Sequence, residues 1–152
     1  MITAHQHTVF EVLGDRFLHE IPGYQRPYAW RTEEAGQLLV DLLEALEQAT
    51  DEPYFLGSIV LIRPTVVGQV LDGQQRLTTL TILGAVLRDL ATAAQEKSAL
   101  DSIVYIEPNA FLNQQEAIRL KAHEDDRVFF KESVQRPGAT AKAQPTSKSP
   151  IT

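Results

Sequence analysis

The sequence predicts an α+β fold, a small mixed sheet with packed helices. Short β-branched runs bounded by Gly, Pro and Asp alternate with two long stretches of leucine at helical spacing. At 152 residues the chain fits one domain. Hydrophobic residues make up 43% of it, enough to bury a core.

In chain order, the alternation from Thr8 to Val12 predicts a strand, and Arg16 to Ile21 a second one, separated by the Gly14-Asp15 turn. The decapeptide IPGYQRPYAW follows. Pro22, Gly23 and Pro27 exclude regular helix and predict a fixed, extended loop. Thr32 is placed to cap a helix carrying Glu33 and Glu34 in its first turn, where the positive end of the dipole favours acids. Leu38, Leu39, Leu42, Leu43 and Leu46 form its apolar face, and it should end near Thr50, before Pro53. Tyr54 to Ile62 predicts a buried strand with Gly57 a point of close approach.

Arg63-Pro64-Thr65 turns the chain, Val66 to Leu71 returns as a strand, and Asp72-Gly73 stops it. A helix from about Gln74 to Ala94 should bury Leu77, Leu80, Leu83, Leu87 and Leu90. Thr78, Thr79 and Thr81 are poor helix formers, so packing must hold that first turn and a half. Beyond it, Ser102 to Glu107 and Ala117 to Leu120 predict short strands, and His123 to Phe130 a helix start in which Asp125 and Asp126 are solvated. The folded domain is expected over 1–135. Residues 136–152, poor in large apolar side chains, predict a flexible polar tail or a truncated linker.

Several chemistries are excluded or disfavoured. The absence of cysteine removes disulfides, thiol nucleophiles and Cys-ligated metals. His5, His7, His19 and His123 have no acidic partners at metal-motif spacing. No serine sits in a nucleophile elbow. Fourteen basic residues against twenty acidic ones give a net charge of −6, which disfavours a surface that coats nucleic acid throughout. No run approaches the ~18 apolar residues of a membrane helix, and the N-terminus lacks a signal-peptide pattern. A soluble, cytoplasmic protein is the expectation.

Two segments carry chemical opportunity. At the strand–DGQQR–helix junction, the first N–H groups of the helix lack partners and attract anions. Gly73 leaves room for a phosphate, and Arg76 offers a planar fork of donors. Gln74 and Gln75 supply neutral donors and acceptors, and Asp72 suits magnesium, a water or its own helix cap. The same spacing is met if Asp72 is only the N-cap and Arg76 a surface salt-bridge residue. The segment is not a P-loop, because it lacks the second glycine and the Lys-Ser/Thr pair. The second segment is the loop. Tyr24, Gln25 and Arg26, held between two prolines, suit stacking on a base and pairing with phosphate. Tyr28 and Trp30 also suit burial in the core.

In order, IPGYQRPYAW, YFLGSIVLI and VLDGQQRLTTLTIL, with RLKAHEDDRVFF after them, resemble the N-terminal ParB/sulfiredoxin-like domain of GmrSD-type modification-dependent restriction enzymes. The resemblance spans roughly Val9 to Leu90 and implies a small ParB/sulfiredoxin-like fold. It implies a module of bacterial phage defence that binds and hydrolyses nucleoside triphosphates and couples this to sensing or cleaving modified DNA. Asp72, Gly73, Gln74, Gln75 and Arg76 then occupy the nucleotide-site motif, with Tyr24, Gln25 and Arg26 in the motif beside it. Arg76 would hold phosphates, and Asp72 would serve Mg2+ or the attacking water. Full-length members carry a His-Me finger nuclease domain, and this sequence has no such motif. An excised domain, a truncated product or the sensor half of a split system is expected, with no nuclease activity of its own. The alternative is a non-catalytic module that binds DNA or a nuclease partner.

Overall fold

In the computed structural model, residues 1–14, 16–48, 50–63 and 66–143 are described. The central element is a four-stranded mixed sheet. Its strands are β1 (Leu18–Glu20), β2 (Val60–Ile62), β3 (Val67–Asp72) and β6 (Leu120–Lys121), in the order β2-β3-β1-β6. β1 runs parallel to both β3 and β6, and β2 closes the other edge antiparallel to β3. A separate two-stranded ribbon pairs β4 (Tyr105–Ile106) with β5 (Ala117–Ile118). The helices are α1 (Val9–Leu13), α2 (Thr32–Gln48), α3 (Gln74–Leu90), α4 (Ala94–Val104) and α5 (Arg127–Phe130), the last running into a π-helical turn over Lys131–Gln135. The α+β class is therefore as expected. Leu13, Val70, Leu77, Val104, Leu120 and Phe130 are fully buried and join sheet to helices.

Several boundaries differ from expectation for identifiable reasons. Val9 to Leu13 is helix, not strand, because Thr8 and Glu11 form a capping box. Thr8 Oγ1 accepts from the Glu11 N–H at 3.2 Å, and the Thr8 N–H donates to Glu11 Oε2 at 2.8 Å. Pairing of the expected Tyr54–Ile62 strand is confined to Val60–Ile62, a sheet edge, and Tyr54 and Phe55 are exposed. α3 begins where expected but stops at Leu90. The segment read as helix to Ala94 bends there, and α4 takes Ser102–Val104 from the expected Ser102–Glu107 strand, which survives as Tyr105–Ile106.

The buried face of α3 is also turned from the leucine line. Thr78, Thr79, Thr81 and Arg88 are buried while Leu87 and Leu90 are exposed. Each threonine hydroxyl donates to the carbonyl four residues back, at 2.8, 2.8 and 2.9 Å, so it enters the core with its polarity satisfied. Asp126, expected in solvent beside Asp125, is buried and accepts from the Tyr28 N–H at 3.2 Å. Within the stretch expected as a tail, Gly138 and Thr140 donate to the Asp89 carboxylate. The expected tail from residue 144 onward lies outside the described residues.

Candidate functional site

β3 ends at Asp72 and α3 starts at Gln74, so Gly73 alone makes the junction. Its φ of 88° is left-handed, a conformation that costs an ordinary residue roughly 1–2 kcal/mol. A Cβ there would also stand 3.1 Å from both Ile59 Cγ1 and the Ser58 carbonyl oxygen. Gly73 is the N-cap of α3 and brings no side-chain oxygen. Among the described residues no side-chain acceptor meets the N–H groups of Gln74, Gln75 or Arg76. Asp72 is thus not the cap. Its Oδ1 accepts from the Gly73 N–H at 2.9 Å, which leaves Oδ2 turned to other uses.

Arg76, one turn into α3, is half-buried and forms no ion pair among the described residues. Its guanidinium lies over Gly57, where φ is 121° and a Cβ would come 2.6 Å from Arg76 Cζ. The close approach expected at Gly57 is this one. The salt-bridge account of Arg76 therefore has no partner to support it among the described residues.

The loop from Ile21 to Arg31 is fixed to α3 by its first turn. Gln75 is buried, and its Oε1 accepts from the Ala29 N–H at 2.8 Å and the Trp30 N–H at 3.2 Å. Its Nε2 donates to the Pro27 carbonyl at 3.4 Å. The Gln75 amide is therefore committed to holding the loop. Gln74 Nε2 donates to Gln25 Oε1 at 3.4 Å, and Gln25 Nε2 donates to the Leu71 carbonyl at 3.2 Å. The Tyr28 hydroxyl meets Thr79 Oγ1 at 3.0 Å, and burial pushes its phenol pKa up against the lowering effect of that bond.

These elements enclose an open cleft of about 430 Å³ lined by Arg26, Trp30, Phe55, Gly57, Ser58 and the run Asp72–Arg76. The structure therefore brings Arg26 to Asp72, Gly73, Gln74, Gln75 and Arg76. Tyr24 is 69% exposed and off the lining, and Gln25 stands behind Gln74. Trp30 forms cleft wall and is half-buried rather than a core residue. Phe55 and Ser58 were not legible as site residues, although Gly57 between them and Arg76 marked the place.

Among the described residues, Asp72 is the only carboxylate on the lining, and no group of three or more His, Asp or Glu could hold a metal alone. That donor set fits a magnesium ion delivered with phosphates, which supply most of its ligands, and does not fit a stand-alone metal centre.

No curated protein matches the chain. The model of the GmrSD restriction endonuclease N-terminal domain matches residues 9–150, nearly the whole sequence, so the chain belongs to that family and is a module of a restriction system.

Proposed function

We propose that the cleft binds a nucleoside triphosphate and that the chain couples its binding, and hydrolysis, to the sensing or cleavage of modified DNA by a phage-defence restriction system. The observation that carries this reading is the Arg76 guanidinium. It is seated on Gly57, has no protein counter-ion among the described residues, and stands one turn from the open N-terminus of the seventeen-residue α3. Such an end carries about half a positive charge, and a planar guanidinium adds a full one. An anion with several oxygens completes both. The cleft volume lies within the roughly 300–1,000 Å³ range of small-molecule sites. Trp30 and Phe55 give it aromatic surface on which a base can stack.

In this reading Arg76 and the N–H groups at the start of α3 hold phosphate oxygens, and Arg26 approaches from the loop side. Asp72 offers Oδ2 to magnesium or to a water. Magnesium, when bound, would neutralise phosphate charge at the site. Gln75 acts on the loop, and Gln74 and Gln25 tie that loop to the β3 terminus.

The test is triphosphate binding and phosphate release by the purified chain, with each nucleotide, with and without magnesium. Saturable binding that is lost in Arg76→Ala while the circular-dichroism spectrum is unchanged is the expected result. An Arg76→Ala variant of undiminished affinity would remove the assignment. The second reading, a non-catalytic DNA- or nuclease-binding module, draws on the exposure of Tyr24 and Arg26 on their proline-bounded loop. It requires salt-sensitive binding to plain or modified duplex without phosphate release.

A further inference from the structure

α2 is a helix without a visible reason to be where it is. It runs for seventeen residues and buries none of them, whereas α3 and α4 each bury residues in the core. Such a helix is weakly held on its own, because most helical stability in proteins comes from packing an apolar face. α2 has such a face. Leu39, Leu43 and Leu46 recur at i, i+4 and i+7 and are 45%, 50% and 76% exposed, with Val40 beside them at 46%. Leu38 and Leu42, a quarter turn away, are half-buried, so one flank is partly covered and the other lies open.

The charges on α2 decide among possible occupants of the open flank. The helix carries Glu33, Glu34, Asp41, Glu44 and Glu47 and not one Lys or Arg. Glu44 and Glu47 follow Val40 and Leu43 by four residues, so they border the exposed leucines directly. A second copy would bring an equally acidic helix against this one, and like charges at such a border are destabilising. Nucleic acid and anionic lipid are repelled for the same reason.

We infer that the open flank of α2 docks a basic amphipathic helix of a partner polypeptide, whose leucine-like stripe covers Leu39, Leu43 and Leu46 and whose flanking Lys or Arg residues meet Glu44 and Glu47. Helix-in-groove recognition of this kind reads apolar anchors at helical spacing and takes its specificity from the bordering charges. The site is separate from the nucleotide cleft, and neither reading depends on the other.

The experiment uses two synthetic helical peptides with the same leucine stripe, one with lysine and one with glutamate on its flanks, titrated into the full chain. The lysine peptide should bind saturably at one to one and more weakly at high salt, and the glutamate peptide should bind at least about tenfold more weakly. The exposed double substitution Leu43→Glu/Leu46→Glu should remove lysine-peptide binding. The Glu44→Lys/Glu47→Lys variant should reverse the preference between the peptides, a gain that a misfolded protein cannot give. Equal binding of the two peptides, or lysine-peptide binding that survives both variants, would overturn the inference. A dimer in sedimentation that Leu43→Glu/Leu46→Glu dissolves would overturn it in favour of self-association.

Discussion

Gln75 and Gly57 are the two residues on which the geometry of the cleft turns, and neither needs to touch a ligand to matter. Gln75 Oε1 satisfies the backbone N–H groups of Ala29 and Trp30 at once. A buried N–H left without an acceptor costs roughly 1–3 kcal/mol. Both bonds are part-buried, so Gln75→Leu should lower stability in urea melts by about 1–2 kcal/mol and speed hydrogen exchange at Ala29 and Trp30. Gln75→Glu keeps the acceptor and should lose much less. Equal stability of parent and Leu variant would show that the loop is held by something else. Gly57→Ala places a methyl group inside the Arg76 guanidinium at a left-handed φ, so it should displace Arg76 and weaken triphosphate binding by about tenfold or more. In an Arg76→Ala background the same change should cost less stability than in the parent, a non-additivity that a double-mutant cycle in urea melts reads directly.

At the scale of elements, α3 shows how far the sequence could be read and where reading stopped. The β3–Gly73–α3 junction was legible because a β-branched run, a turn dipeptide and a 3.6-residue repeat follow one another without interruption. The buried face was legible only in part, at Leu77 and Leu80. Leucine spacing pointed to Leu87 and Leu90, which are exposed, because a threonine that back-bonds to its own helix enters the core as an apolar group and leaves no mark in hydropathy. The same logic hid α1, whose VFEVL alternates like a strand while its helical signal lies in the Thr8–Glu11 capping box. The cleft was half legible. DGQQR announced itself through local chemistry, but Gln75's hold on Trp30 spans 45 residues of chain and has no local signature. For α3, Leu87→Lys/Leu90→Lys should change stability by no more than about 0.5 kcal/mol per site, as for ordinary surface positions. Thr81→Lys, at a fully buried position, should prevent folding. Urea melts of the two variants check the orientation of the helix. A large loss from the leucine pair would contradict it.

For the whole molecule, buried His19 and half-buried Asp89 should set how the fold fails in acid. His19, on the central strand β1, is 1% exposed. Its Nε2 meets the Val12 carbonyl at 2.7 Å, while Nδ1 has no hydrogen-bond partner among the described residues. Burial holds its pKa below the ordinary 6.5 against the raising effect of that bond, and Arg63 adds to the lowering. Below pH 6.5 the unfolded chain therefore takes up a proton that the folded chain refuses, and stability declines as pH falls through that window. Asp89 acts lower on the scale. Burial pushes its carboxyl up, but bonds from Arg88, Thr140 and the Gly138 N–H outweigh this and hold it at about 2, against 3.8 unperturbed. Its contribution is complete above 3.8 and is lost as pH drops through about 2. Arg88, which donates to Asp89 at 2.8 Å and to the carbonyls of Val134, Gln135 and Arg136, joins α3 to the end of the described chain. Thermal melts should thus show an acid limb in two stages. His19→Gln should remove the upper stage relative to the parent while leaving the lower one. Asp89→Asn should shrink the lower stage and speed amide exchange at Gly138 and Thr140. A parent and His19→Gln protein whose stabilities fall in parallel just below pH 6.5 would show that the strand-bound imidazole does not set the onset.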